Sequence, residues 1–283
     1  YLIVEFDRDK AQKLGDSKAP AFVIRPLPEN ATIYAQRPRH EAARLPAPEI
    51  AAAVTAVTRP AFEAAVTHLT SYPTRHSTSP DFRAAAEWAR AQFQGLGLTA
   101  ATAAITVGSG TSLNVIATKA GTAPGRGTVL VVAHLDSVNH AGGNHGGGNT
   151  APAPGADDNA SGSAGVLVLA AAMAPHGFAH DLTFVLFGGE EQGLLGSRQY
   201  LAGLSATERG RIRAVLNMDM IGCVNSQPPT VMLEGAALSQ SMIDALAASA
   251  EAHTTLAIQT SLNPFASDHV PFIEAGIPAV LTI

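Results

Sequence analysis

From residue 113 onward the chain alternates between short apolar runs and longer segments of helical periodicity, and this alternation is what most limits its possible folds. Residues 113–118, 129–133, 182–187 and 215–218 read as strands, and residues 162–173 and 194–201 as helices between or after them. Residues 231–233 and 279–283 add further strands, with a helix over 242–252 separating them. Strands joined through helices pair mostly in parallel and carry those helices on both faces. The expected architecture is therefore α/β, a three-layer α/β/α sandwich around a mixed, largely parallel central sheet. Ahead of it, Phe62, Ala65, Val66 and Leu69 fall at helical spacing, as do Phe82, Ala86, Ala89 and Phe93. Ser79-Pro80-Asp81 opens the second of these helices and Gly95 closes it. Trp88 and the neighbouring aromatics read as packing residues.

Residues 1–58 have a different texture, an apolar opening followed by proline-dotted and then alanine-rich sequence. They are expected to be an N-terminal extension, a pro-segment or the tail of another module, with the main domain covering 59–283. Because the chain opens on Tyr1, it is expected to start after processing or inside a longer product. With 46% hydrophobic and 14% charged residues, a packed body is expected rather than disorder. A net charge of −5 and the lack of a basic run give no reason to expect nucleic acid or a membrane surface as partner. Cys223 is the single cysteine, which excludes an internal disulfide and a thiolate zinc cage.

Four clusters stand directly after strand-like runs or inside glycine-rich turns. They are Ala133-His134-Leu135-Asp136, Gly155-Ala156-Asp157-Asp158-Asn159, Phe187-Gly188-Gly189-Glu190-Glu191 and Asn217-Met218-Asp219-Met220. In open α/β sheets the site lies beyond the carboxyl ends of the strands, where these clusters fall. Each has an ordinary explanation alone: a buried strand-end histidine, a helix cap, an exposed charged turn, a satisfied core aspartate. Together they gather carboxylates that would repel one another unless a multivalent cation sat between them. Asp136, two residues beyond His134 on the same strand face, is placed to accept that imidazole's other ring proton. Histidine with hard oxygen ligands and no thiolate suits a hydrolytic zinc or cobalt site. The donors exceed the needs of one ion, which favours two metals about 3.5–4 Å apart. His140 and His145 lie in a glycine-rich stretch over 139–154 and read as loop residues rather than ligands.

In this order the four motifs resemble the M28 family of di-zinc aminopeptidases, over about residues 60 to 283. The resemblance implies a zinc-exopeptidase-like fold and hydrolysis of the N-terminal residue of a peptide bearing a free α-amine. It implies that His134, Asp158, Glu191 and Asp219 bind metal, with Asp158 rather than Asp157 as the bridge, followed by a cis peptide to Asn159. Glu190 is implied as general base and Asp136 as the partner of the His134 ring; the free amine is expected near Glu190 and Asp219. Ser267-Asp268-His269 and Gly276-Ile277-Pro278 match the family's run into its last core strand, with His269 in a supporting role. The family's fifth ligand, a histidine after that strand, lies beyond Ile283, so a C-terminally truncated domain with one complete site is expected. Two Zn2+ ions per full-length chain and a secreted or periplasmic location are implied by the resemblance alone. The same fold also serves glutaminyl cyclases, which use one zinc for acyl transfer, carboxypeptidase- and dipeptidase-like relatives, and catalytically silent binding modules. The wording of residues 186–194, Leu-Phe-Gly-Gly-Glu-Glu-Gln-Gly-Leu, looks more like the peptidases.

Overall fold

A computed structural model describes residues 10, 33–38, 48–139 and 151–283. Strand β1 (Ala35–Arg37) and helices α1 (Pro48–Ala56), α2 (Arg59–Thr70) and α3 (Pro80–Gly95) come first. Strands β2 (Thr99–Val107), β3 (Gly110–Lys119) and β4 (Thr128–His134) follow, then a π-helical turn (Ala156–Ser161) running into α4 (Gly162–Met173). Next are β5 (Asp181–Phe187), α5 (Leu195–Gly203), α6 (Ala206–Arg211) and β6 (Ile212–Met218). The described chain closes with β7 (Thr230–Glu234), α7 (Gln240–His253), β8 (Ala257–Ser261), α8 (His269–Glu274) and β9 (Ala279–Thr282).

The nine strands among the described residues form one sheet in the order β1-β8-β7-β9-β6-β4-β5-β3-β2. Its centre, β9-β6-β4-β5, is parallel, and β3 and β2 are added antiparallel at one side. On the other side β7 runs antiparallel to β9, β8 parallel to β7, and β1 antiparallel to β8. β1 lies within the stretch that reads differently in sequence, and Arg37 Nη1 reaches Asp244 Oδ1 of α7 at 2.5 Å.

The central strands are buried on both faces, which explains why they read as unbroken apolar runs. Val131 and Ala133 of β4, with Phe184 and Leu186 of β5, face a core shared with α2, α3 and α4. Leu130, Val132, Val185 and Phe187 alternate to the opposite face, where Leu201 of α5 and Phe272 of α8 cover them. This is the three-layer sandwich expected from the alternation. Helix α3 starts where Ser79 Oγ accepts the Phe82 amide and presents Phe82, Ala85, Ala86, Ala89 and Phe93 inward. Each buried phenylalanine there contributes about 1.5–3 kcal/mol. Trp88 packs against the same core while stacking on His68, with ring centroids 4.1 Å apart.

Besides β1, α1 and α8, the elements β2, β8 and α6 escaped the periodicity. β2, Thr-Ala-Ala-Thr-Ala-Ala-Ile-Thr-Val, carries too few large apolar residues to read as a strand and forms through its pairing with β3. β8 is a short edge-side strand of mixed polarity. α6 is exposed along its length and is set by a capping box between Ser205 and Glu208. Among the described residues no helix is long and apolar enough to cross a membrane.

Candidate metal centre

The carboxyl ends of β4, β5 and β6 meet the turn before α4, and there the acidic clusters converge. His134 is the last residue of β4 and is buried. Its Nε2 lies 3.2 Å from Asp158 Oδ1 and 3.3 Å from Asp219 Oδ1. One donor atom each from His134, Asp158 and Glu191 lies within 4.8 Å of the others, and the same holds for His134, Glu190 and Asp219. The five residues singled out in sequence as ligands or base are thus brought together, with Glu190 close enough to be a donor as well.

Asp136 stands beside the His134 ring, as read from the sequence, and both its carbonyl and its carboxylate face Nδ1. His134 Nδ1 is 3.0 Å from the main-chain carbonyl of Asp136 and 3.6 Å from its carboxylate. A carbonyl can only accept, so Nδ1 carries a proton and Nε2 is the ring atom that faces Asp158 and Asp219. The fully buried Asp136 carboxylate does further work: it accepts Ser77 Oγ at 3.0 Å and the amides of Glu190 at 3.2 Å and Glu191 at 3.4 Å. Ser77 Oγ in turn accepts the Gly189 amide. Gly189 has φ of 70°, a left-handed turn that bends the chain out of β5 and delivers the two glutamates.

Asp158 and Asn159 break the helical geometry of the π turn, and the peptide bond between them is cis. Asn159 anchors this break to β6: its Nδ2 donates to Met218 O at 3.0 Å and its Oδ1 accepts the Gly162 amide at 2.7 Å. Asp157 is turned elsewhere and accepts the Gly222 amide at 2.8 Å. Asp219 follows β6; Ser267 Oγ donates to its Oδ2 at 2.7 Å while accepting Asn217 Nδ2 at 2.8 Å, which fixes the carboxylate with Oδ1 toward His134. His269 is fully buried with Nε2 3.2 Å from Glu234 Oε1 and belongs to neither donor group. His140 and His145 lie outside the described residues.

The charges of the centre do not balance. Burial, partly opposed by His134 and reinforced by Asp268, Asp219 and Glu191, holds the Glu190 carboxyl well above the usual carboxylate range. Burial and the neighbouring Asp158 push Glu191 up to about 9. Burial also pushes Asp268 up to about 7, against the pull of His134. Burial disfavours charge on His134, yet Asp219, Glu190 and the other carboxylates hold the imidazolium well above its ordinary value. Carboxyls and an imidazole that all keep their protons when no cation is present fit a divalent ion that would replace those protons. Nitrogen and hard oxygen donors without sulfur suit zinc.

Sequence reasoning did not find Ser77, Arg75 or Asp268. Asp268 lay inside a quoted motif and an acidic residue beside a histidine was its visible signal. Ser77 and Arg75 sit in Pro73-Thr74-Arg75-His76-Ser77, which reads as an ordinary polar loop.

A family model described as Peptidase family M28 matches residues 114–282. Leupeptin-inactivating enzyme 1 of Streptomyces exfoliatus is 30% identical over 208 residues, covering 70% of this chain and 41% of that protein. The chain thus spans less than half the length of this curated relative. A zinc aminopeptidase from Bacillus subtilis superposes with a TM-score of 0.54 at 30% identity, over 62% of this chain and 40% of that one. The LapA aminopeptidase of Legionella pneumophila superposes with a TM-score of 0.68 over 87% of this chain and 66% of that one; at 22% identity this likeness carries the fold alone.

Proposed function

The chain belongs to peptidase family M28, and from that premise we propose that it is a zinc-dependent aminopeptidase that removes the N-terminal residue of peptides. The observation that carries this reading is the convergence of His134, Asp158, Glu190, Glu191 and Asp219, with both glutamates pushed above the carboxylate range. His134, Asp158, Glu191 and Asp219 would hold the zinc, the three carboxylates each offering a donor atom within 4.8 Å of one from His134. When bound, zinc supplies Lewis acidity to the scissile carbonyl and makes water acidic enough to attack near neutral pH.

The remaining work falls to side chains of this chain. Glu190 takes the proton of the attacking water and passes it to the leaving amine. A base needs a proton affinity matched to the operating pH, and burial beside other carboxylates raises that of Glu190. Asp136 grips the amides of Glu190 and Glu191, so proton acceptor and metal-binding carboxylate keep a fixed spacing. The negative charge of Glu190 and Asp219 favours a substrate's free ammonium, and N-terminally blocked peptides are accordingly poor substrates.

Hydrolysis of aminoacyl-p-nitroanilides by the purified protein, with and without chelator, tests the reading alongside metal counting. Two zinc ions per full-length chain and chelator-sensitive release of the N-terminal residue are expected. One ion with acyl transfer would move the assignment to a cyclase, and no bound metal would leave a silent module. Ordinary turnover by Glu190→Gln would remove Glu190 as the base.

A further inference from the structure

The loop between α2 and α3 holds a fully buried arginine that the proposed mechanism does not use. Arg75 is 0% exposed. Its Nε donates to Leu135 O at 2.9 Å, its Nη1 to Leu69 O at 3.0 Å and Pro154 O at 2.5 Å, and its Nη2 to Gly155 O at 3.0 Å. Its amide donates to Ser137 Oγ at 3.1 Å, and its carbonyl accepts the Ser137 amide at 3.2 Å. One side chain therefore ties together the end of α2, the turn that follows His134, and the segment that leads into Asp157-Asp158. The planar fork of a guanidinium suits such a junction, and an ammonium on a flexible stem could not reach all four carbonyls at once.

The choice of partners is unusual. A buried cation is normally matched by a carboxylate, because leaving it among neutral dipoles costs free energy. Here all four side-chain bonds go to main-chain carbonyls, and none to an acid. Burial drags the guanidinium down to about 10, and the charges that oppose this are Asp136, Asp158 and Glu191. The positive charge thus stands behind the carboxylates of the metal centre without neutralising any of them by direct contact. The turn is built tightly around it. Gly155 has φ of 48°, and a Cβ there would come within 2.2 Å of Asp158 O and 3.2 Å of Arg75 Nη2.

We propose that Arg75 is a positioning residue of the metal centre, whose fork fixes the Asp158 turn against the His134 turn. The inference rests on the cluster being a metal centre and not on which reaction it performs. Two substitutions grade what the fork does. Arg75→Met removes all four side-chain hydrogen bonds, and Arg75→Lys keeps a single donor group while losing most of the fork.

The test is zinc affinity of the whole protein, measured by competition with a chromophoric chelator, with circular dichroism and thermal melting of the chelated forms as control. Wild type that binds no zinc would remove the metal-centre reading itself, separately from Arg75. With zinc binding established, Arg75→Met is expected to bind it at least tenfold more weakly, with Arg75→Lys intermediate, at unchanged secondary structure. Wild-type zinc affinity in a folded Arg75→Met overturns the proposal. If Arg75→Met does not fold, Arg75→Lys decides in the same way: weaker binding at an unchanged melting temperature supports the assignment, and unchanged binding overturns it. If neither variant folds, Arg75 is a scaffold residue and the proposal is overturned.

Discussion

Strand β5 begins at one acidic residue and leads out to two others, and the two ends are treated in opposite ways. At its start, Asp181 accepts Arg126 Nε at 2.5 Å, Arg211 Nη2 at 2.8 Å and the Gly121 amide at 2.8 Å. Burial pushes that carboxyl upward, but the amide and the two guanidinium groups outweigh it and hold it below its ordinary value. Past the strand's other end, Glu190 and Glu191 face the carboxylates of Asp136, Asp158, Asp219 and Asp268 and an imidazole, and the guanidinium of Arg75 behind them spends its hydrogen bonds on carbonyls. One end of the sheet settles its charge within the chain. The other leaves a deficit of positive charge, concentrated where strand ends and turns leave room for a ligand. The lesson is that an acidic residue's meaning lies in whether the chain also supplies its counter-charge.

The sharpest way to break the contrast is Glu190→Gln. It keeps the shape of the buried carboxyl and removes its proton chemistry, so kcat for an aminoacyl-p-nitroanilide is expected to fall about 10²–10⁴-fold. The melting temperature should hold, because the buried Glu190 already favours its neutral form. A loss of structure with the loss of turnover would mean that this end also serves stability.

Saturating zinc is the next largest effect. Added to the chelated protein at about a thousand times its Kd, it is expected to stabilise by about 4 kcal/mol, read as a rise in melting temperature by calorimetry. Asp181→Asn should leave that increment unchanged.

The two ends also predict opposite pH dependences. Glu191 has its folded-state pKa raised to about 9, above its ordinary value of 4.5. Its contribution is fully present below the unfolded pKa and is lost as pH rises through the folded value, so the chelated protein should lose stability between about pH 5 and 9. Asp181 has a lowered folded pKa, so its contribution is present above the ordinary carboxylate pKa of about 4 and is lost as pH falls through the folded value. Melting temperatures of the chelated protein across pH 3–9 should therefore pass through a maximum, and zinc should flatten only the alkaline side.

The smallest effect is expected from Asp181→Asn itself. Both arginines are partly exposed, with side chains 41% and 43% accessible, so solvent weakens the pairs and the loss should be about 1 kcal/mol. Turnover should be unchanged. A measurable drop in kcat would show that the two ends are coupled through β5.

What the sequence made readable follows from the same physics. β4, β5 and α4 are buried over most of their length, so their residues are predominantly apolar and announce themselves. The motifs at strand ends were readable because carboxylates after apolar runs have few structural reasons to be there. β2 was not readable, since alanine and threonine carry little signal and its existence depends on β3. Nor was the direction of the Asp136 carboxylate, because strand alternation places it on the His134 face but cannot say that amides lie closer than the ring. Arg75 was hidden for a related reason: its partners are carbonyls, which every residue has, so no residue type advertises them.

Asp136 grips the main chain of Glu190 and Glu191, not their side chains. A backbone amide is common to every residue but proline, so this clasp is indifferent to what positions 190 and 191 carry. Evolution or an engineer can exchange both functional groups while the mount that aims them stays in place, which makes this turn a socket for new chemistry as much as a component of the old.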